Sequence, residues 1–423
     1  MFDYKSGLDF AKELDQKDTL APYRNQFHIP KDQNGNDLIY LCGNSLGLQP
    51  KTTKAYVNQE LEDWANLGVE GHTEARHPWL PYHEFLAESM AKVVGAKPIE
   101  VVVMNTLTAN LHFMMVSFYQ PTPERYKILI EADAFPSDKY AVESQLRHHG
   151  YDDKEGVILW KAREGEELLR YEDLEAILEK HGNEIALIMI GGVNYYTGQY
   201  FDLKKITQLG HLYGCMVGFD CAHGAGNVPL NLHDSGADFA VWCTYKYLNS
   251  GPGSLAGAFV HERHAYNKNL NRFTGWWSHN KQTRFNMRDE FDQLPGAEGW
   301  QLSNPPILSM AAIRASLDMF NEVGFEKLTE KSRKLTGYFE FLINELNNEH
   351  IKIITPKSSD ERGCQLSIQV KNADKTLHQK LTEAGIICDW REPDVIRCAP
   401  VPLYNSFEDV YKMVEILKAI LNE

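Results

Sequence analysis

Cysteine is scarce and scattered, with seven residues in 423 (Cys42, Cys215, Cys221, Cys243, Cys364, Cys388 and Cys398) and no Cys-x-x-Cys pair. An odd, widely spaced set of thiols argues against a disulfide framework and offers no zinc-ligand spacing, so no metal site is expected. Most lie in apolar runs such as Phe239-Ala240-Val241-Trp242-Cys243. A thiol there serves as a small hydrophobe, and burial is expected for all seven. Long apolar runs are missing too: the longest, Ile185 to Ile190 leading into Gly191-Gly192-Val193, falls well short of the roughly 20 residues that cross a bilayer. Met1-Phe2-Asp3-Tyr4-Lys5 lacks the apolar core of a signal peptide, so a cytoplasmic location is expected. Positive charge is in deficit, 43 Lys and Arg against 58 Asp and Glu for a net −15, and no basic run of five to eight residues occurs. Such a balance repels phosphate backbones and argues against a nucleic-acid partner.

What is present is an ordinary globular composition, 43% hydrophobic and 24% charged, in a chain long enough for roughly two to three folding units. The first fifty residues read as irregular and end in the turn-rich Gly43-Asn44-Ser45-Leu46-Gly47-Leu48-Gln49-Pro50. Tyr56, Val57, Leu61 and Trp64 recur at helical spacing and predict a helix from about Lys54 to Leu67. Short β-rich runs then alternate with helical patterns: Glu100 to Met104, Lys127 to Glu131, Val157 to Trp160, Ile185 to Ile190, Met216 to Phe219, Asp238 to Cys243 and Leu255 to His261. Alternation of this kind implies an α/β fold with a mostly parallel central sheet flanked by helices. After Pro305-Pro306 a long helical region runs to about Asn348, broken at Val323-Gly324, before strands and helices of a smaller α+β unit. The expected division is a segment 1–50 packing with the small domain, a large domain 51–310 and a small domain 311–423.

The chemistry concentrates in Val217-Gly218-Phe219-Asp220-Cys221-Ala222-His223 and, 23 residues beyond His223, Thr244-Tyr245-Lys246. Asp220 ends a buried apolar strand, the place where open α/β sheets bind ligands. A carboxylate buried there needs a cationic or hydrogen-bonding partner. Lys246 follows another apolar strand and is nearly the only basic residue between Lys205 and Arg263, and a desolvated lysine is a natural Schiff-base former. Taken singly, Asp220 reads as a turn cap and Lys246 as a solvated strand edge. As an ordered pair separated by one β-unit they suit pyridoxal 5′-phosphate (PLP), with Lys246 bonded covalently to the cofactor and Asp220 on the pyridine nitrogen.

Asp220-x-x-His223 with Thr244-Tyr245-Lys246 resembles the fold-type I, class-V-aminotransferase-like PLP enzymes. Gly43 to Pro50, Phe135-Pro136-Ser137-Asp138, Tyr195-Tyr196-Thr197-Gly198-Gln199, Gly275-Trp276-Trp277, Ser303-Asn304-Pro305-Pro306-Ile307 and Ala399-Pro400-Val401-Pro402-Leu403-Tyr404-Asn405-Ser406 narrow the resemblance to the kynureninase family. The matches run in order from about residue 40 to 410. The resemblance implies hydrolysis of L-kynurenine, or of its 3-hydroxy form, to anthranilate or 3-hydroxyanthranilate and L-alanine. It also implies a homodimer with active sites at the subunit interface.

Carried over position by position, the resemblance makes Lys246 the PLP lysine, Asp220 the partner of the ring nitrogen and Phe135 the residue stacked on the ring, with Pro136 and Ser137 beside it. Asp138 becomes a second carboxylate near the ring, although alone it reads as a helix N-cap. The phosphate falls to Leu107 and Thr108 at a helix start, with Tyr245, Trp276 and Asn304 as further cofactor contacts and His223 adjacent. Tyr245 is also the candidate proton donor. Arg397 takes the substrate α-carboxylate as a bidentate guanidinium; without the family it reads as a strand-edge residue. Ser45, His72, Ser303 and Asn304 line the aromatic-ring pocket, where polar groups suit the 3-hydroxylated substrate as well. His77, Trp277 and Gly191 depart from the family pattern, Gly191 standing where a hydroxyl residue can occur. Two other readings stay open: a cysteine desulfurase or lyase of the same fold with Cys364 as sulfur acceptor, and a non-catalytic PLP- or metabolite-binding protein.

Overall fold

The computed structural model describes residues 3–422; Met1 and Phe2, part of the terminus read above, and Glu423 lie outside the described residues. The principal helices are α1 (Leu8–Lys17), α2 (Thr53–Leu67), α3 (Glu84–Val94), α4 (Leu107–Phe118), α5 (Pro136–His148), α6 (Tyr171–His181), α7 (Leu203–Leu212), α8 (Ile307–Val323), α9 (Phe325–Glu345), α10 (Lys375–Glu383) and α11 (Phe407–Leu421). The first fifty residues are therefore not wholly irregular. Helix α1 is short and mostly polar, and it exists through tertiary packing: Ala11 is buried in the C-terminal core, and the Asp15 carboxylate accepts from the N–H groups of Phe407 and Glu408 at the start of α11. Helix α3, also unforeseen, buries Leu86, Met90, Ala91, Val93 and Val94 and stops at Gly95, whose φ of +66° places it in the left-handed region.

Seven strands build the central sheet: β1 (Val101–Met104), β2 (Lys127–Glu131), β3 (Val157–Trp160), β4 (Ile185–Gly191), β5 (Met216–Asp220), β6 (Phe239–Cys243) and β7 (Ala256–Val260). Their order is β1-β7-β6-β5-β4-β2-β3. All neighbours pair in parallel except β7, which runs antiparallel to both β1 and β6. The near-continuous apolar runs follow from burial on both faces. In the register Gly191 lies opposite Asp220 and Asp220 opposite Val241, so the carboxyl ends of β4, β5 and β6 open on one side.

A second sheet, β8 (Ile351–Ile353), β9 (Leu366–Val370), β10 (Asp389–Arg391) and β11 (Val395–Cys398), has the order β8-β9-β11-β10 and is antiparallel throughout. Strand β10 was invisible in the sequence because Asp389-Trp390-Arg391 lacks an apolar alternation. Its pairing puts β11, and Arg397 with it, in the sheet interior rather than at an edge. Helices α9, α10 and α11 cover this sheet around a second apolar core, while α8 packs into the first. Six cysteines are buried, but Cys42 is only partly so, because it lies in the turn leading to Gly43. No helix among the described residues is long and apolar enough to cross a membrane.

Candidate active site

The strand ends open onto a cavity whose walls include Leu107, Thr108, Phe135, Ser137, Asp138, Asp220, His223, Tyr245 and Lys246. Residues distant in sequence and chosen for one chemistry thus share one space. The Lys246 Nζ donates to His223 Nε2 at 3.0 Å. Burial, reinforced by Lys246, drives the His223 pKa far below its ordinary range, so the ring is neutral and can accept that bond. Its Nδ1 is buried with no partner.

Asp220 closes β5, and its Oδ1 accepts from the Ala222 N–H at 2.7 Å. The turn-cap reading and the functional one therefore coexist. Asp138 is buried beside it, and desolvation together with the Asp220 charge pushes its carboxyl well above the usual range. Burial raises Asp220 as well. Of this pair, Asp138 keeps the proton and Asp220 carries the charge. Asp138 is not the helix cap expected: Phe135 occupies the N-cap of α5 and Pro136 its first turn, where a missing N–H costs nothing.

Helix α4 begins at Leu107 with no side-chain cap on its N-cap Thr106, leaving first-turn N–H groups aimed out of the helix. The Thr108 and Ser137 hydroxyls lie 3.0 Å apart beside them. This end of the cavity suits a phosphate. Phe135 is 47% exposed and lies on the cavity wall, not in the core, with its ring edge-on to Tyr195 at 5.4 Å. An anion cradle, a lysine amine, an aromatic plane and a buried carboxylate, with Asp138 Oδ1 and His223 Nδ1 left unpartnered, together fit PLP.

The other predicted residues do not line this cavity. Arg397 is 1% exposed and donates through Nη1 to the Tyr195 carbonyl and through Nη2 to Asp389, at 2.6 and 2.5 Å. Tyr195 is itself a cavity wall, so Arg397 stands one residue behind it. Trp276 is 40% exposed and bonds through Nε1 to the Arg284 carbonyl. Its turn is tied to the chain before Ser303 by the Trp277 N–H on the Leu302 carbonyl. Ser303, Asn304 and Ser45 are exposed, and His72 is partly buried, edge-on to Trp79 at 5.4 Å.

Sequence reading missed Glu131, Val193, Tyr195 and Ala222 as cavity walls and noted Gly191 only as a departure. Glu131 ends β2 as Asp220 ends β5, so the same strand-end rule would have found it. The Gly191 N–H donates to both Glu131 oxygens, and a Cβ at 191 would meet Oε1 at 2.8 Å. The motif glycine Gly47 is explained by close approach: its N–H bonds the Tyr245 carbonyl, and a Cβ there would lie 2.3 Å from the Lys246 carbonyl. Among the described residues, two clusters elsewhere have metal-ligand spacing, and both are engaged by the chain's own groups. Glu100 accepts from His233 and the N–H groups of Lys97 and Glu262, and Lys281 bridges Glu84 and Glu298 beside His83.

The fold is similar to that of C-DES with glycine covalently linked to its PLP cofactor (TM-score 0.77, 16% identity, 93% of this chain and 98% of that one). It is also similar to a cysteine desulfurase from Thermococcus onnurineus NA1 (TM-score 0.76, 16% identity, 95% and 98%). These likenesses establish the fold-type I architecture. Residues 328–417 match the family model for the kynureninase C-terminal domain. Over 420 residues the chain is 58% identical to a kynureninase of Myxococcus xanthus, covering 99% of each. The chain belongs to the kynureninase family. A mouse kynureninase is 47% identical, with 97% of this chain and 93% of the relative covered. Kynureninase membership also removes the desulfurase reading, with which Cys364 agrees: it is buried, and desolvation pushes its thiol up to about 12.

Proposed function

We propose that the chain is a PLP-dependent hydrolase that cleaves the Cβ–Cγ bond of L-kynurenine, and of 3-hydroxy-L-kynurenine, releasing anthranilate or 3-hydroxyanthranilate and L-alanine. The observation carrying this reading is the Lys246 amine held on a neutral His223 in a cavity that also contains the Asp138–Asp220 pair. PLP supplies an electron sink for bonds at the amino-bearing carbon and its neighbour.

Lys246 would hold the cofactor covalently and, as a free amine, would remove the substrate Cα proton. His223 accepts a hydrogen bond from Nζ and keeps it pointed into the cavity. Asp220 would hold the pyridine nitrogen protonated, and Asp138, keeping its own proton, leaves the negative charge on Asp220. Leu107 and Thr108 offer N–H groups to the phosphate, Ser137 a hydroxyl, and Phe135 its ring face. One water is consumed: its oxygen ends in the released aromatic carboxylate, and a proton ends on Cβ of alanine. Burial pushes the Tyr245 phenol up, so it stays protonated and serves as the donor for that proton.

Arg397 takes the α-carboxylate. Ser45, Trp276 and Asn304 serve the site of a second subunit, in keeping with their exposure on one chain, and His72 and Ser303 line the aromatic-ring pocket. Phe273, Phe285, Met287 and Phe291, all exposed on the segment around Trp276, support such a homodimer. The reading includes a cytoplasmic location. It also includes a division into a segment 1–50, a large domain 51–310 and a small domain 311–423.

Absorbance of the purified protein with added L-kynurenine, read alongside anthranilate fluorescence, tests the reading. A cofactor band lost in Lys246→Ala together with growing anthranilate signal is expected. A band with no product from either kynurenine would overturn the substrate assignment. Sedimentation of the active species should give a dimer, and a fully active monomer would remove the shared site.

A further inference from the structure

Strand β10 sets Asp389 directly opposite Arg397 on β11. The Asp389 Oδ2 accepts from Arg397 Nη2 at 2.5 Å and from Arg391 Nη2 at 3.1 Å, so one carboxylate oxygen holds two guanidiniums. Both guanidiniums lie over the Tyr195 ring, 5.8 and 6.0 Å from its centroid, and Tyr195 is a wall of the cavity. Two cations and one anion leave the cluster with one unbalanced positive charge. Arg397 has Nη1 committed to the Tyr195 carbonyl and Nη2 to Asp389, while its Nε, like the Nε of Arg391, is buried with no partner. Burying two N–H donors without acceptors is costly unless an anion arrives to take them.

We propose that Arg391 is a second binding residue for the substrate α-carboxylate and that Asp389 is the positioning residue that holds both guanidiniums for it. This rests on the assignment of Arg397 to that carboxylate. Asp389 fixes the plane of Arg397 and leaves its Nε without an acceptor. Arg391 brings the second charge, and the incoming carboxylate neutralises the cluster. His223 feels both arginines from inside the cavity, since each contributes to lowering its pKa. The arrangement selects substrates that carry an anion next to the amine.

The test compares L-kynurenine with its decarboxylated amine on the holoenzyme, following kinetics and, for equilibrium binding, the cofactor absorption change. Arg391→Gln should raise KM for L-kynurenine about tenfold, the scale of one charge-assisted hydrogen bond, with a smaller factor in kcat. Its affinity for the decarboxylated amine should not move, and Arg391→Lys should recover most of the loss. Asp389→Asn should erode the same preference; should it fail to fold, the half-buried Arg391 decides alone. If Arg391→Gln keeps the full preference for the carboxylate while Arg397→Gln loses it, the proposal falls and the role of Arg397 stands. If Arg397→Gln also keeps it, both fall.

Discussion

The Gly191 N–H donates to both oxygens of Glu131, at 3.0 and 3.2 Å, across the ends of two neighbouring strands. Glu131 is fully buried, and desolvation pushes its pKa up to about 7 against an ordinary 4.5. Below pH 4.5 both folded and unfolded chains hold this proton. Between 4.5 and 7 only the folded chain does, so stability falls as pH rises through that window and levels off above it. Urea unfolding of the cofactor-free protein at pH 5 and pH 8 should show Glu131→Gln relieved of this slope, by on the order of 3 kcal/mol at the upper pH. Identical slopes in both proteins would contradict the assignment.

Gly47 touches the backbone that carries Lys246, and a methyl group at 47 has no room. Gly47→Ala should therefore displace Lys246 without unfolding the chain. We expect kcat/KM to drop about a hundredfold, as misplacement of a reacting group by about an ångström does, while far-UV circular dichroism is retained. Wild-type activity in this variant would mean the turn does not position the lysine.

Tyr245 tests the proton-donor role separately from cofactor binding. Tyr245→Phe should keep the cofactor band and lower kcat by about 10²- to 10⁴-fold, the usual range for a positioned acid. Unchanged alanine formation in pre-steady-state traces would remove it from that role.

Glu60 on α2 is buried and accepts from Tyr82 Oη at 2.8 Å and Trp79 Nε1 at 3.1 Å, with Arg314 of α8 at 3.7 Å. Trp79 in turn abuts His72. Glu60→Ala leaves the Arg314 charge buried without its counterpart, an expected loss of about 3–5 kcal/mol in unfolding experiments. Adding Arg314→Met should restore much of it; a double variant as weak as the single one would show that the carboxylate serves only its neutral donors.

The strands of the central sheet were legible to within a residue, because burial on both sheet faces writes itself as unbroken apolar runs. The ends of β2 and β3 coincide with the runs read from the chain. Helix α1 and strand β10 were not legible, since their stability comes from partners far away: α1 from the core under α11, and Asp389-Trp390-Arg391 from pairing with Val395 to Arg397. The same division holds in the site. Asp220 and Lys246 stood out as charges beside apolar strands, whereas Asp138 came only through the family resemblance, since alone it reads as a helix cap, and Glu131 emerged only when the fold turned it to the same cavity.

Sequence alone determined the chemistry available, because residue types at strand ends and their order along an alternating pattern limit which side chains can meet. Tertiary structure decided the electrostatics: which carboxyl keeps its proton, which histidine is neutral, and which arginine N–H groups are buried without an acceptor. Those properties depend on burial and on distances between groups brought together from separate parts of the chain, and neither is set by local sequence.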